Sequence, residues 1–261
     1  MPGQFQGKVV VVTGGSRGIG RSVAAAFAKE GAQTVIVSSS DSNLASAKAT
    51  VAKSGAEPLT INANLKTLEG CQQAFKTVQD KFGRCDVLVN SAGATRAGNF
   101  VDLPDEAWMD GYGLKLFGCV RMCRLFWPML KAANGHVVNI GGGAARSPGA
   151  DFSIGASVNA AMGNFSKALS QLGKRDGVNV NVVHPGATET ERFYELIEQR
   201  SKASGKSVDD LKKEATAKDG LRRLGQPEDI AALTLFLCSE SARHIQGTAI
   251  AVDGGSTVGY Y

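Results

Sequence analysis

From one end of the chain to the other, short runs of aliphatic and β-branched residues alternate with longer stretches in which apolar side chains recur every three or four positions. That alternation predicts repeated β-α-β units around a parallel sheet. The first strand is predicted over residues 8–13. A helix follows in which Ile19, Val23 and Phe27 form one stripe, stopping at Gly31. Strands over 34–37, 58–61 and 86–90 alternate with helices over 42–53 and 68–81, completing the first half of a doubly wound sheet. After Pro104 a long helical pattern runs to about residue 131, then a strand over 136–140, a helix over 153–172 and a strand over 178–183. Between residues 190 and 221 the composition turns charged and polar around Ser204-Gly205-Lys206, which predicts a mobile helical flap on the substrate side. Pro227 opens another helix, and residues 248–252 give a last strand. No repeat or linker divides the chain, so residues 1–261 read as one α/β domain, a doubly wound parallel sheet with helices on both faces.

Composition excludes several functions. Hydrophobic residues at 43% and charged residues at 20% exclude a disordered chain. Glycine is the anomaly: 32 of 261 residues, against a usual share of about 7%. The excess belongs at tight turns and loops that hug a ligand. The net charge is +5, yet basic residues never cluster beyond pairs such as Lys212-Lys213 and Arg222-Arg223, so no nucleic-acid partner is expected. Cys71, Cys85, Cys119, Cys123 and Cys238 lack the spacing of a zinc site or disulfide framework. They read as buried thiols of a cytoplasmic protein, with Cys119 and Cys123 on one helical face and no metal expected. No apolar run precedes the first strand, and no uncharged stretch reaches the ~18 residues of a membrane span. Neither secretion nor a membrane partner is expected.

The first strand runs directly into Thr13-Gly14-Gly15-Ser16-Arg17-Gly18-Ile19-Gly20 and then into a helix. Glycines there allow a tight turn and a close backbone approach to a pyrophosphate, while the helix N-terminus offers free N–H groups. Between strand and helix, this pattern points to a dinucleotide. Four further segments follow in order: Asn90-Ser91-Ala92-Gly93, Pro185-Gly186 with Thr190, Gly225-Gln226-Pro227-Glu228-Asp229, and Val252-Asp253-Gly254-Gly255. Together they resemble the TGxxxGxG, NNAG, PGxxxT and C-terminal signatures of the short-chain dehydrogenase/reductase family. The resemblance implies a single Rossmann-like domain, a nicotinamide dinucleotide, a small-molecule substrate and a homo-oligomer, dimer or tetramer. Carried onto this chain, it implies a cofactor site of Gly14, Ser16, Arg17, Gly18, Ile19, Gly20, Asn64, Leu65, Asn90, Ala92, Gly93, Pro185, Gly186, Thr188 and Thr190. At the end of the second strand, where an acidic residue would repel a 2′-phosphate, stand Ser38, Ser39 and Ser40. With Arg17 nearby, NADP(H) is favoured over NAD(H).

The resembled family reduces carbonyls with an Asn, a Ser and a Tyr-x-x-x-Lys pair, in which Tyr gives the proton and Lys lowers its pKa. Counting from the matching segments places Lys115, Gly142, Ile154 and Val158 at those four positions. None of the four tyrosines, Tyr112, Tyr194, Tyr260 and Tyr261, has a lysine four residues on, so a slipped count does not restore the pair. Lys115 is the first substitute, with its ammonium directed toward the place vacated at Val158. His184, at the carboxyl end of a strand, is the second, and Ser153 and Tyr194 are weaker ones. Asn159 reads as a packed helix residue. Ile154, Val158 and Gly142 under a flap carrying Phe193 and Tyr194 predict an apolar substrate. Three functions follow: an NADP(H)-dependent oxidoreductase acting on a small apolar carbonyl or alcohol with a non-standard proton donor; a catalytically inactive dinucleotide-binding sensor or partner protein; or a lyase or isomerase on the same scaffold.

Overall fold

A computed structural model describes residues 3–217 and 220–257. Tyr260, Tyr261 and residues 218 and 219 of the expected flap lie outside them. Valine sets the architecture. Strand β1 (Val9–Thr13) is buried along its whole length, as expected of a strand covered on both faces. Successive side chains alternate between the faces. Val10 and Val12 join Ile36, Val89 and Val138 beneath Val23 and Phe27 of α1 (Gly18–Lys29) and Ile230 of α9 (Pro227–Leu237). Val9 and Val11 join Val35, Leu88 and Val137 on the other face. There they meet Val78 of α3 (Leu68–Phe82), Phe126 of α5 (Cys119–Ala132) and Met162 of α6 (Ser153–Asp176). Phe27 is fully buried and stacks edge-on against Phe5 at 4.8 Å; burial of such a side chain contributes about 1.5–3 kcal/mol.

The remaining strands are β2 (Gln33–Ser38), β3 (Leu59–Asn62), β4 (Val87–Asn90), β5 (His136–Ile140), β6 (Asn179–Pro185) and β7 (Ala249–Val252). All pair in parallel, in the order β3-β2-β1-β4-β5-β6-β7. The chain winds outward from β1 to β3 and then returns to β4 on the other side of β1. A crevice opens at such a reversal, beyond the carboxyl ends of the strands. Local chemistry fixes the helix ends. Ser40 starts α2 (Asp41–Ala52) by accepting from the Asn43 N–H at 3.4 Å, and Thr67 starts α3 by accepting from the Gly70 N–H at 3.1 Å. The single-domain α/β reading and the Rossmann-like doubly wound sheet describe the fold as it stands.

Several boundaries differ from expectation. The helical pattern after Pro104 runs unbroken to Ala132 but not as one regular α-helix. It comprises α4 (Asp105–Tyr112), a wider π-type segment (Gly113–Gly118) and α5. Helix α6 runs on to Asp176, where Gly177 at φ 74 takes the left-handed cap. Strand β6 continues through His184 and Pro185 because these pair with Ala251 and Val252 of β7. The charged stretch after residue 190 forms α7 (Glu191–Ser204) and α8 (Val208–Ala217), joined through Gly205. The five cysteines are buried and free.

Candidate functional site

The crevice holds a cavity of about 1040 Å³ running from the glycine-rich turn across the ends of β1, β4 and β5 to the start of α7. The turn is tight. A Cβ on Gly14, whose φ is 65, would stand 2.7 Å from the Ala92 Cα, so only glycine lets the two loops close. Thr13 ties them together, its Oγ1 accepting from the N–H groups of Ser91 and Ala92 at 3.2 Å each. Gly14, Ser16, Arg17, Gly18, Ile19, Gly20, Ser38, Ser39, Ser40, Asn64, Leu65, Ala92, Gly93, Pro185, Gly186 and Thr190 all line the cavity.

Two residues assigned to that wall by motif lie behind it. Asn90 is 3% exposed and donates through Nδ2 to the Asn139 Oδ1 at 2.9 Å, clamping β4 to β5. Thr188 is buried and its hydroxyl donates to the Gly186 carbonyl at 3.0 Å, shaping the turn after β6. In both, the backbone position matches the motif while the side chain turns inward. The serines are partly engaged: Ser16 Oγ donates to Ser38 Oγ at 2.9 Å, and Ser40 caps α2.

The flap is anchored to the glycine-rich turn by charge. Glu191, the first residue of α7, accepts from the Gly18 N–H through Oε2 at 2.9 Å and pairs with Arg21 through its other oxygen. Arg17 pairs with Glu195 at 2.9 Å. An oxygen anion thus sits at the N-terminus of α1, where the free N–H groups and the helix dipole favour negative charge. In this structure the Gly18 N–H is therefore taken by the chain's own carboxylate. Phe193 and Tyr194 do not form the expected apolar lid. The Tyr194 ring faces Lys212, whose Nζ lies 5.1 Å from the ring centre and 3.0 Å from Glu189. The flap residues on the cavity are Thr190, Glu191 and Arg192.

At the inner end of the cavity, the peptide between Gly141 and Gly142 is held from both sides. Lys115, on the π-type segment, donates from Nζ to the Gly141 carbonyl at 3.1 Å. The Gly142 N–H donates to His184 Nδ1 at 3.0 Å. A Cβ on Gly141 would stand 2.5 Å from that same nitrogen, so glycine is what admits the imidazole. Lys115 is half-buried and lines the cavity, and burial lowers its pKa to about 8. His184 is buried and held neutral, its pKa lowered to about 4 by burial and by the charges of Arg146 and Lys115. It lines a second, separate depression and not the main cavity. A neutral imidazole accepting a backbone proton is a positioning group, which replaces the second candidate proton donor with a structural role.

Helix α6 corrects the count. Ile154 and Val158 are 0% exposed and absent from the cavity wall. The α6 residue on that wall is Asn159, and one turn earlier on the same face stands Gly155. The ring of Phe152 covers Gly155 so closely that a Cβ there would meet its Cζ at 2.1 Å. The four-residue spacing assigned to Ile154 and Val158 therefore belongs to Gly155 and Asn159. Two short 3₁₀ turns, Gly143–Ala145 and Ala150–Phe152, precede the helix, and one residue of slack in them turns a helix by about 100°. The apolar floor is replaced by Ile140, Pro148 and Phe152 interspersed with Ser91, Lys115, Ser147 and Asn159. Glu191, Phe152 and Ser147 had no role in the sequence reading; the carboxylate opening α7 was the one legible hint. Among the described residues no group of three or more His, Cys, Asp or Glu side chains converges on a metal position, and no helix is long and apolar enough to cross a membrane.

A family model described as enoyl-(acyl carrier protein) reductase matches residues 14–257. A 3-oxoacyl-[acyl-carrier-protein] reductase of Vibrio harveyi is 30% identical over 252 residues, 96% of this chain and 98% of that protein. A 2,3-dihydro-2,3-dihydroxybenzoate dehydrogenase of Bacillus subtilis is 30% identical over 258 residues, 98% of each. Among solved structures, L-sorbose reductase from Gluconobacter frateurii, complexed with NADPH and L-sorbose, superposes with a TM-score of 0.95 at 30% identity over 100% of both chains.

Proposed function

The chain belongs to the short-chain dehydrogenase/reductase family, and from that premise we propose that it is an NADP(H)-dependent oxidoreductase acting on a small carbonyl compound or its alcohol, with Lys115 in place of the usual proton donor. The observation that carries this is Lys115, half-buried on the cavity wall, with its ammonium against the Gly141 carbonyl at 3.1 Å and its pKa lowered to about 8. A group with that pKa both holds and releases a proton near neutrality. The relatives support the oxidoreductase class, and the NADPH in the L-sorbose reductase structure supports the phosphorylated cofactor. Within this chain, the N–H groups of the glycine-rich turn would hold the pyrophosphate, once Glu191 releases that of Gly18. Ser38, Ser39 and Arg17 would take the 2′-phosphate, once Glu195 releases the guanidinium. Asn64 and Leu65 would flank the adenine, and Pro185, Gly186 and Thr190 the nicotinamide end.

When bound, the dinucleotide supplies or accepts the hydride. Lys115 then gives a proton to the carbonyl oxygen in reduction, or takes one from the alcohol in oxidation, and exchanges it with solvent afterwards. His184 keeps the Gly141–Gly142 peptide in place, so that Lys115 is fixed against a rigid carbonyl. The buried free thiols support a reducing, cytoplasmic setting. The exposed Phe100, Val101, Met109 and Phe117 around α4 support a dimer or tetramer.

A second reading, a dinucleotide-binding sensor or partner protein without turnover, is favoured by glycine at both Gly142 and Gly155, which leaves the cavity without a Ser or Tyr hydroxyl at those places. A titration with NADPH and NADH, followed by NADPH consumption over a panel of ketones, hydroxyketones and enones, separates the two. Oxidation of NADPH that falls at least a hundredfold in Lys115→Met supports the enzyme. Tight binding without oxidation of NADPH by any compound supports the sensor, and failure to bind either dinucleotide refutes both.

A further inference from the structure

Two carboxylates one turn apart on α7, Glu191 and Glu195, occupy groups that the glycine-rich turn would offer a dinucleotide. Glu191 Oε2 accepts from the Gly18 N–H at 2.9 Å while Oε1 pairs with Arg21, in the first turn of α1. A phosphate oxygen takes the same place at a helix N-terminus. Glu195 holds the Arg17 guanidinium at 2.9 Å. The approach is close: a Cβ on Gly18 would stand 3.2 Å from Thr190 Cγ2 and 3.7 Å from Glu191 Oε2, so the start of α7 lies directly against the turn. A phosphate and Glu191 cannot share the Gly18 N–H, because it is one donor and two anions at that distance repel. Apolar packing does little to keep α7 there. Among its described side chains Ile197 alone is buried, whereas Tyr194 and Leu196 are exposed. The ionic contacts are what seat its first turns on the glycine-rich turn.

We propose that the start of α7 is an autoinhibitory latch: Glu191 and Glu195 stand in for two phosphate groups of the dinucleotide, which binds only by displacing them. This goes beyond the oxidoreductase reading and rests on its dinucleotide site. Each carboxylate answers a different phosphate. Glu191 covers the Gly18 N–H, where the pyrophosphate common to NADPH and NADH would lie. Glu195 covers Arg17, which only the 2′-phosphate of NADPH would use. Arg192 faces Glu195 at 3.7 Å from the same helix, so the carboxylate keeps a cation when Arg17 leaves it. The cost of displacement appears as lost affinity: a site latched in about nine molecules of ten binds its ligand about tenfold more weakly than the open form.

The test measures dissociation constants of NADPH and NADH by fluorescence titration for wild type and three variants. Glu191→Gln removes the charge, Glu191→Asp keeps the charge but falls one methylene short of Gly18, and Glu195→Gln frees Arg17. Glu191→Gln tightens NADPH and NADH alike, by about tenfold. Glu191→Asp tightens both by at least about threefold, since it is the contact and not the charge alone that closes the latch. Glu195→Gln tightens NADPH about threefold, as suits a solvent-exposed ion pair, and leaves NADH within about 1.5-fold. A gain in affinity is not a result that misfolding can produce. A gain for NADPH below about threefold in Glu191→Gln, or a gain there that is absent from Glu191→Asp, overturns the latch while leaving the oxidoreductase reading intact. An equal gain for both dinucleotides in Glu195→Gln overturns the assignment of Glu195 to the 2′-phosphate. No binding of either dinucleotide, by wild type or by Glu191→Gln, overturns the oxidoreductase reading and the latch with it.

Discussion

Replacement of Lys115 by Met is expected to make the protein more stable and less active, and the two effects have separable causes. In the unfolded chain the ammonium keeps its proton up to its ordinary pKa of 10.5; in the folded chain burial lowers this to about 8. At ~1.4 kcal/mol for each tenfold change, that difference is about 3 kcal/mol of burial cost. The cost is present in full below pH 8, where both states are charged. It fades between about pH 8 and 10.5, as the folded protein sheds the proton first. Methionine has similar length and no charge to desolvate, but it leaves the Gly141 carbonyl without the 3.1 Å contact, a loss of about 1–2 kcal/mol where water reaches the oxygen in part. The balance is a gain of about 1–2 kcal/mol at pH 7, or a melting temperature higher by about 3–6 °C for a chain of this size. Thermal unfolding of both proteins at pH 7 and pH 10.5 reads it directly. The advantage of the variant should vanish or reverse at the higher pH, while NADPH turnover falls by a factor of about 10² to 10⁴. A variant that melts lower at pH 7, or an offset identical at both pH values, refutes the burial-lowered pKa of Lys115.

Gly155→Ala drives a methyl into the Phe152 ring and should destabilise by about 1–3 kcal/mol; in a double-mutant cycle by denaturant unfolding, Phe152→Ala should relieve most of that loss. His184→Ala leaves the Gly142 N–H without its acceptor and should cost about 1–3 kcal/mol at pH 7. His184 titrates near 4 when folded against 6.5 ordinarily, so its contribution is lost as pH falls from about 6.5 towards 4. Denaturant unfolding at pH 7 and 4.5 should therefore show a smaller acid-induced loss in the variant than in wild type. Glu191→Gln removes the charge paired with Arg21 and should raise the rate of proteolytic cleavage in the α7–α8 segment severalfold, with NADPH suppressing the effect.

Some elements of this fold are written locally and others are not. Strand β5 matches its expected span, residues 136–140, because a short valine-centred run between an αL turn at Asn134 and a glycine pair is a complete local signal. The cavity wall is also legible in large part, since glycines and the helix start after β1 are adjacent in sequence. What escaped depends on side-chain direction or on distant contacts. Asn90 and Thr188 belong to recognisable segments, but hydrogen bonds to Asn139 and Gly186 turn them away from the cavity. The Glu191 contact joins residues 170 positions apart, beyond any periodicity. The one-residue error on α6 arose in a loop of short 3₁₀ turns, whose residue count leaves no hydrophobic pattern to read.

The wide turn from Gly113 to Gly118 makes chain length itself a component of the chemistry. A π-type turn is an α-helix carrying one residue more than its pitch requires, and Lys115 lies within it. Deleting a single residue there would let α4 and α5 merge into one regular helix, a gain in backbone regularity. It would also swing the lysine around the axis and away from the Gly141 carbonyl. The position of Lys115 therefore depends on an irregularity that folding alone would not favour, and a shorter, smoother helix would withdraw it from the cavity wall.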